Sequence, residues 1–329
     1  MTFPALVTER RDDGSIVSQV EMLDDARLPA GEVSVDVEWA GFNYKDGLCL
    51  TGGGGLVRTY PHVGGIDFAG TVRDSTDPRY VPGQAVVLTG WRVGEIHWGG
   101  FAGRARVQAD WLVPLPLEMN TRQAMILGTA GLTAMLAVNR LAGAGVSPDD
   151  GEVLVTGAAG GVGSMSVSLL SRLGYQVAAL SGRPQHGEKL IALGAKSLVE
   201  RAEFLAQPDK PLESARWAGA IDSVGGKVLG KLLKQIRPGG AVASLGNAGG
   251  IEINTTVLPF ILRGVSLLGI DSVMQPYKAR LEAWDRLASL FDFPAYDGMV
   301  EEIGLADLPE AAGRILRGEI SGRVLVRPR

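Results

Sequence analysis

Cysteine and histidine are scarce in this sequence, and their scarcity limits the chemistry that the chain can use. One cysteine, Cys49, occurs in 329 residues, so an intrachain disulfide is impossible and a reducing compartment such as the cytoplasm is expected. The three histidines, His62, His97 and His186, lie far apart along the chain. A four-cysteine zinc site is excluded, and a catalytic zinc would need Cys49 with a distant histidine and a carboxylate. We therefore predict no metal site.

A concentrated block of positive charge is also lacking. Lysine and arginine number 32 against 36 aspartate and glutamate residues, which gives a net charge of -4. This balance disfavours nucleic acid and membrane surfaces as partners. No run of consecutive apolar residues reaches the length of a bilayer span, and the N-terminal stretch MTFPALVTERRDDG has no signal-peptide core. We expect a soluble, cytoplasmic protein that binds neither nucleic acid nor membrane.

The chain length suggests two domains or one large one, and two kinds of sequence pattern divide the chain. The first part is typical of short strands between Gly, Pro and Asp turns, and the predicted strands cover 32–41, 65–74, 84–91, 99–108 and 112–116. From Asn120 onward apolar residues follow helical spacing, with Thr121 as a candidate N-cap. Strands and helices then alternate regularly, which predicts right-handed crossovers and a parallel sheet.

We therefore predict an α/β protein with two domains. A β-rich domain takes residues 1–120 and 273–329 and is interrupted by a doubly wound parallel-sheet domain over residues 121–272. The strands of the inserted domain are predicted at 152–157, 176–182, 218–225, 240–247 and 265–272. Helices are predicted over 162–174, 186–194 and 226–236 within that domain, and over 276–290 and 308–317 after it.

The glycine-rich stretch LVTGAAGGVG predicts a dinucleotide-binding turn because it follows a predicted strand and opens a predicted helix. Gly157 permits the tight turn, Gly160 lets the backbone approach a pyrophosphate, and Gly163 permits close packing of helix on strand. The free N–H groups of the helix N-terminus would then face the phosphates. A glycine-rich turn that binds no ligand is the structural alternative.

The end of the second strand of this domain indicates which dinucleotide binds. NAD-binding domains usually place a carboxylate there for the ribose 2′-hydroxyl, whereas this sequence has Ser181 with Arg183 two residues later. A serine hydroxyl and a guanidinium would bind a 2′-phosphate that a carboxylate would repel. We therefore predict NADPH as the cofactor. Arg201, after the third strand, is either a second phosphate ligand or an ordinary surface arginine.

The reaction is predicted from the same scarcity of zinc ligands. Reduction of an activated C=C bond needs no Lewis acid, because hydride goes to the β-carbon while hydrogen-bond donors hold the enolate. Tyr44, in the stretch GFNYKDG, is the candidate donor of a proton or hydrogen bond near the nicotinamide. A loop that joins two sheets by hydrogen bonds fits this stretch equally well. Asp67 is interpreted as structural, and Thr129 as a nicotinamide contact or a helix cap.

The order of motifs along the whole chain resembles the medium-chain dehydrogenase/reductase superfamily, in its zinc-free quinone-oxidoreductase-like branch. The motifs are GFNYKD, GGIDFAG, PGQAVVLTGW, GGFA, GTAGLTA, LVTGAAGGVG and SGR. Within that branch, four further blocks resemble the NADPH-dependent acrylyl-CoA reductases: NYKDGLCLTG, TGWRVGEIHWGGFA, AIDSVGG and PFILRGVSLLGIDSV. The resemblance implies a GroES-like domain with a Rossmann domain, and reduction of acryloyl-CoA to propanoyl-CoA in acrylate detoxification, dimethylsulfoniopropionate or 3-hydroxypropionate metabolism.

The resemblance and the glycine turn together give a set of predicted site residues. Tyr44 is the predicted catalytic residue. The predicted cofactor contacts are Tyr44, Thr129, Gly157, Ala159, Gly160, Gly161, Val162, Gly163, Ser181, Gly182, Arg183, Arg201, Leu245, Ile270 and Ser272. Asn43 and Arg92 are predicted substrate contacts, and a coenzyme A ester needs cations for its phosphates, for which Arg58, Arg92, Arg104 and Arg106 are candidates. The sequence GNAGG at 246–250 departs from the more apolar turn expected there.

Two other functions and an oligomeric state complete the set of hypotheses. An NADPH:quinone or general enone reductase would use the same fold without a preference for coenzyme A esters. A non-catalytic NADPH-binding protein would bind the cofactor without turnover. Related enzymes are homodimers that pair Rossmann sheets edge to edge, and the apolar stretch GVSLLGID is a suitable edge strand.

Overall fold

The computed structural model of the protein describes residues 2–206 and 210–329. Sixteen strands occur in the part of the chain that the structure describes. In chain order they are β1 (Thr2–Arg10), β2 (Ile16–Asp24), β3 (Val33–Phe42), β4 (His62–Val63), β5 (Asp67–Ser75), β6 (Ala85–Thr89), β7 (Arg104–Val107), β8 (Leu112–Pro114), β9 (Glu152–Thr156), β10 (Gln176–Ser181), β11 (Ser197–Glu200), β12 (Trp217–Asp222), β13 (Ile236–Ser244), β14 (Ser266–Gly269), β15 (Val300–Gly304) and β16 (Arg323–Arg327).

Ten α-helices connect and cover these strands within the same described ranges. They are α1 (Tyr44–Thr51), α2 (Thr121–Gly143), α3 (Gly161–Arg172), α4 (Gly187–Ala192), α5 (Arg201–Ala206), α6 (Gly226–Leu233), α7 (Leu258–Arg263), α8 (Tyr277–Leu290), α9 (Phe293–Tyr296) and α10 (Leu308–Leu316).

The chain forms two compact units, of which the first is β-rich. It comprises residues 1–129, 272–289 and 297–329. Its main sheet has the order β15-β16-β3-β5-β6-β8, with β7 also pairing with β3, and a smaller sheet has the order β2-β1-β4. Alternate residues of β3, Val33, Val35 and Val37, are fully buried in the core of this unit, as the alternating sequence predicts.

The second unit is a parallel sheet covered by helices and comprises residues 130–271 and 290–296. Its strand order is β11-β10-β9-β12-β13-β14 and every pairing is parallel. Numbered within the unit this order is 3-2-1-4-5-6, which is the order of doubly wound dinucleotide-binding folds. Strand β9 is buried along almost all of its length, as expected of a strand covered on both faces. The predicted fold class is confirmed.

The bounds of the two units differ from the predicted domains in three places, the smallest of which assigns Ser272 to the first unit. The second unit begins at residue 130 rather than 121, because α2 is broken at Gly128, whose φ of 50° and ψ of -149° are non-helical. It also includes Leu290–Tyr296. The hydroxyl groups of Tyr296 and Ser164 are hydrogen-bonded at 2.7 Å, which joins this segment to α3 of the same unit.

Several elements of the first unit differ from the expectations. The hairpin of β1 and β2 and the strand β15 were not predicted. The polar stretch after β3 is the helix α1 rather than a loop. The N-cap of α2 is Asn120 rather than Thr121: the side chains of Asn120 and Gln123 each accept from the other's main-chain N–H at 2.9 and 3.0 Å. The Thr121 hydroxyl instead donates to Glu38 at 2.6 Å.

Helix α2 corrects the expectation that no segment is long and apolar enough to cross a bilayer. Within the described residues it passes that test by length and composition, because its polar residues, among them Arg122 and Arg140, are too few to make the helix polar. In the most apolar window of this helix 83% is buried inside the structure. Burial of this kind is typical of a core helix of a globular domain.

Candidate active site

The glycine turn between β9 and α3 requires glycine at Gly157 and Gly163, two of the three predicted positions, whereas a Cβ on Gly160 would meet only the carbonyl oxygen of Gly157, at 3.3 Å. Gly157 adopts a left-handed φ of 60°, and a Cβ there would overlap the hydroxyl of Ser223. A Cβ on Gly163 would overlap the carbonyl oxygen of Gly157. The chain can therefore turn back at this point and pack α3 directly against the strand end only without these side chains.

Helix α3 presents its first main-chain N–H groups without a competing side chain. Gly160 is the N-cap residue and makes no side-chain cap hydrogen bond, and the helix continues for 12 residues. The N–H groups of Gly161, Val162 and Gly163 precede the first i to i-4 bond, which runs from Ser164 to Gly160 at 2.9 Å. An N-terminus of this kind, with the helix dipole behind it, can bind a pyrophosphate.

A second candidate anion site lies at the end of the neighbouring strand, β10. The Ser181 hydroxyl accepts from the main-chain N–H of Arg183 at 3.0 Å and so shapes the turn after β10. A Cβ on Gly182 would lie 2.6 Å from the guanidinium carbon of Arg201, so glycine leaves room for that side chain beside the turn. Burial, and second the positive charge of Arg201, lower the pKa of Arg183. Two guanidinium groups that repel each other are stabilised by a bound dianion.

Four further predicted cofactor contacts are distributed over both units. Leu245 and Ile270 directly follow β13 and β14, and their N–H groups donate to Asp222 and Ser244 at 2.9 and 3.0 Å. Since all strands of this sheet are parallel, both residues lie at the carboxyl ends of the strands, as the glycine turn does. Ala159 is buried in that turn. Ser272 belongs to the first unit.

The first unit contains a buried polar network around Asp67. This side chain is fully buried and accepts from the main-chain N–H of Gly41 at 3.1 Å and of Thr129 at 2.6 Å. The amide nitrogen of Asn43 donates to the same carboxylate at 3.1 Å. A guanidinium nitrogen of Arg323 lies 3.9 Å from Asp67, and both side chains are almost inaccessible to solvent. The interpretation of Asp67 as structural agrees with these contacts.

Asn43 connects this network to a second buried carboxylate, Asp46. Its amide nitrogen donates to Asp46 at 3.1 Å, its main-chain N–H donates to Asp46 at 2.9 Å, and its amide oxygen accepts from Arg323 at 2.9 Å. Both donors and the oxygen of the Asn43 side chain are therefore engaged within the protein. This arrangement gives no support to the predicted substrate contact and points to a role in holding the start of α1.

Asp46 predicts a pH dependence of stability. Burial, and second the charge of Asp67, raise its pKa to about 7. A carboxyl whose pKa is higher folded than unfolded stabilises the fold below pH ~4 and loses that contribution as pH rises through about 7, by up to ~1.4 kcal/mol per pH unit. We expect the unfolding free energy of wild type to fall between pH 5 and 8 relative to that of Asp46→Asn, which cannot ionise. Urea unfolding at each pH measures the difference, and parallel profiles of the two proteins would contradict the assignment.

The remaining predicted residues of this unit differ in accessibility. Tyr44 is the first residue of α1 and is 43% exposed. Arg92 is exposed, has a left-handed φ of 59°, and its Nε lies 3.6 Å from Glu95. Arg58 is exposed. All three side chains are open to solvent, as a residue that meets a ligand must be.

Two of the arginines predicted to hold coenzyme A phosphates are engaged inside the protein. Arg104 is buried, forms ion pairs with Asp25 and with Asp36, the latter at 3.2 Å, and packs over the ring of Phe3. Arg106 donates to the hydroxyl of Ser34 at 3.2 Å and is half-buried. Because the charge of Arg104 is already neutralised by two carboxylates, it is not available to a phosphate.

Family models match both parts of the chain. The model described as alcohol dehydrogenase GroES-like domain matches residues 29–117, and the model described as zinc-binding dehydrogenase matches residues 161–289. The acrylyl-CoA reductase AcuI of Ruegeria pomeroyi is 54% identical over 325 residues, which are 98% of each chain. The chain belongs to the medium-chain dehydrogenase/reductase family. The resemblance inferred from the sequence and the GroES-like class of the β-rich domain are confirmed.

Two solved structures of medium-chain dehydrogenase/reductases are similar to this chain over nearly its full length. The yhdH oxidoreductase of Salmonella enterica, in complex with NADP, is 53% identical, with a TM-score of 0.95 over 98% of this chain and 99% of its own. The yhfP protein of Bacillus subtilis, with NAD bound, is 44% identical, with a TM-score of 0.95 over 99% of each chain. Relatives of the same fold thus hold either nicotinamide dinucleotide.

The name of one matched family model raises the question of zinc. Among residues 2–206 and 210–329 no group of three or more His, Cys, Asp or Glu side chains is arranged to hold a metal ion. Cys49 and His62 are both buried, and the His62 ring bonds to the carbonyl of Gly94 at 2.9 Å. The zinc-free branch of the medium-chain dehydrogenase/reductases remains our prediction for this chain.

Sequence reasoning missed Arg323, although it is central to the buried network. Its guanidinium donates to the carbonyl of Ile126 at 3.0 Å as well as to Asn43. The one available signal was an arginine at the start of a buried apolar strand, in SGRVLV, where a charge requires a partner. The identity of that partner could not be read from the sequence, since Asn43 is 280 positions away.

Proposed function

We propose that this chain is an acrylyl-CoA reductase, which reduces the C=C bond of acryloyl-CoA to give propanoyl-CoA at the expense of NADPH. The observation that carries the proposal is the similarity to the acrylyl-CoA reductase of R. pomeroyi at 54% identity over 98% of both chains. Identity of this extent makes a shared reaction the simplest explanation. The residues of this chain must also fit the cofactor and the reaction.

The fit to NADPH rests on two features of the second unit. The turn Gly157–Gly163 leaves the space that side chains would fill, and α3 offers N–H groups for the pyrophosphate. Ser181, Arg183 and Arg201 would hold the 2′-phosphate, since the guanidinium groups repel each other without an anion. We assign the other predicted contacts, Gly182, Leu245, Ile270, Ser272, Thr129 and Tyr44, to the same cofactor.

The reaction requires hydride, a proton and stabilisation of negative charge on the thioester oxygen. NADPH supplies the hydride that the β-carbon accepts. Tyr44 is exposed at the start of α1, and we assign to it a hydrogen bond or proton in the transition state, with the proton reaching the α-carbon. Exposed Arg92 and Arg58 are assigned to the anionic part of coenzyme A, and Asn43 to positioning rather than substrate contact.

We also propose a homodimer formed through the edge of the parallel sheet. Strand β14 pairs with β13 at one side, and its other side has no strand partner among the described residues. Apolar side chains are exposed on β14 and at helix α7, which precedes it in the chain. They are 38 to 68% exposed and comprise Val257, Ile261, Leu262 and Leu267. A second copy would cover both the free edge and this apolar surface. The cytoplasm is the proposed compartment.

The test is NADPH oxidation with acryloyl-CoA, crotonyl-CoA, free acrylate and a simple quinone, each over a range of concentrations. We expect kcat/KM for acryloyl-CoA to exceed the other values by at least about tenfold, which is about 1.4 kcal/mol of transition-state binding. Preferential turnover of the quinone would favour the quinone-reductase alternative. NADPH binding without turnover of any of the four would favour a non-catalytic protein.

A further inference from the structure

The buried network of the first unit has a feature that a structural role alone does not require. Two segments that carry proposed cofactor contacts, the start of α1 with Tyr44 and the broken part of α2 with Thr129, converge on one carboxylate. Asp67 accepts from Gly41 and Asn43 on the α1 side and from the main-chain N–H of Thr129 on the α2 side. Its position therefore determines the positions of both segments.

Both segments can approach Asp67 because each has a glycine where it meets the carboxylate. A Cβ on Gly41 would overlap the carboxylate of Asp67 and approach Arg323 at 2.6 Å. A Cβ on Gly128 would lie 2.7 Å from both Arg323 and Asp67. Gly128 also has the φ of 50° and ψ of -149° that break α2, a conformation that other residues avoid. Glycine adopts this conformation without strain, and the interruption of the helix brings the Thr129 N–H to Asp67.

Asn43 and Arg323 hold the carboxylate of Asp67 in place through side-chain contacts. Asn43 uses its two amide donors on Asp46 and Asp67 and its oxygen on Arg323, so one side chain has one permitted orientation. Arg323 donates to Ile126 on α2 as well as to Asn43. Neighbouring Tyr44 is 43% exposed, so packing of its own ring restrains it little, and its placement follows from the start of α1.

We infer that Asn43, Asp67 and Arg323 are positioning residues for the reduction, which hold Tyr44 and the main-chain N–H of Thr129 in one fixed arrangement. This inference rests on the proposed function. Asn43 and Arg323 act through Tyr44 and not by touching the substrate. Their loss must therefore lower kcat, whereas the NADPH contacts proposed in the second unit, Arg183 among them, stay in place.

The test is a double-mutant cycle on kcat between Asn43→Ser and Tyr44→Phe. Serine is a good N-cap residue, so α1 keeps its start, but serine cannot bridge Asp46, Asp67 and Arg323. We expect Asn43→Ser to lower kcat for acryloyl-CoA by roughly ten- to 100-fold, as expected for misplacement of a reacting group, and to raise the Kd for NADPH by a smaller factor, because most of the proposed NADPH contacts lie in the second unit. In the Tyr44→Phe background the same substitution should have almost no further effect on kcat.

Two further variants keep the test informative. Arg323→Lys keeps the buried positive charge but cannot reach Asn43 and Ile126 together, and we expect it to lower kcat in the same way, again only when Tyr44 is present. Thr121→Ala is the control, because it removes the 2.6 Å bond to Glu38 near the start of α2 and lies outside the network. It should lower thermal stability without lowering kcat.

The outcomes separate this inference from the function on which it rests. An inactive wild type would overturn the proposed function. An active wild type with unchanged kcat in Asn43→Ser and Arg323→Lys, even if both melt at lower temperature, would overturn the positioning role. Additive effects in the cycle, or a Tyr44→Phe variant with wild-type kcat, would also overturn it, because the network would then have no tyrosine through which to act.

Discussion

Replacing Arg183 with alanine is expected to raise the KM for NADPH by roughly 10- to 150-fold. The guanidinium makes charge-assisted hydrogen bonds to the 2′-phosphate in our assignment, and such bonds contribute about 1.5–3 kcal/mol each. NADH lacks this phosphate, so its KM should change by less than about twofold. Steady-state kinetics with the two cofactors at saturating acryloyl-CoA give both values.

The control for this experiment is Arg172→Ala. Arg172 lies in the same unit and pairs with exposed Asp292 at 3.1 Å, so its removal should leave both KM values unchanged. If Arg183→Ala raised the KM for NADPH and NADH equally, the arginine would contact a part that both cofactors share. That result would remove the assignment of Ser181 and Arg183 to the 2′-phosphate.

The second large effect is expected on stability. Arg323→Ala leaves the carboxylate of Asp67 buried without its ion-pair partner and removes a donor from Asn43 and Ile126. Loss of one member of a buried pair costs about 3–5 kcal/mol of unfolding free energy. Urea unfolding at pH 7, with the midpoint and slope both fitted, measures the change.

Arg314→Ala provides the matched comparison, because Arg314 also pairs with a carboxylate in the first unit. Its partner Glu301 lies at 2.9 Å, and both side chains are about one-third or more exposed. An exposed pair of this kind contributes about 0–1 kcal/mol. Similar small losses for Arg314→Ala and Arg323→Ala would show that the main-chain donors and the amide of Asn43 compensate the charge of Asp67.

The parallel-sheet domain was predictable because its signals are local. Strand β9, the turn at Gly157–Gly163 and helix α3 follow one another within about 20 residues, and each step has its own residue pattern. Ser181 and Arg183 likewise follow from the position of one strand end. Such features depend on neighbours in sequence, so composition and spacing describe them well.

The β-rich unit was predicted less completely because its key contacts are distant in sequence. The sequence predicts a substrate contact at Asn43, whereas the structure shows its side chain bonded within the protein. Its partners Asp67 and Arg323 are 24 and 280 positions away, and periodicity carries no information about such pairs. The break of α2 at Gly128 is not predicted either, because the apolar spacing continues through it and the residues that lie against Gly128, Asp67 and Arg323, are distant in sequence.

Helix α1 is a short element that residue composition does not predict. Its eight residues include a glycine and a β-branched threonine, both poor helix formers. The capping box of Asn43 and Asp46 starts the helix, and Asp46 is buried because it also accepts from the main-chain N–H of Ile66 at 2.9 Å. Tertiary contacts rather than propensity thus determine where Tyr44 lies.

The central claim is that hydride reaches the β-carbon of acryloyl-CoA and a proton reaches the α-carbon. Mass spectrometry of the product after turnover with NADPH deuterated at the transferable position of C4 tests it directly. We predict propanoyl-CoA with one deuterium at C3, and with one deuterium at C2 when unlabelled NADPH is used in deuterated water. Recovery of unreduced acryloyl-CoA, or deuterium from NADPH at C2 instead of C3, would contradict the account.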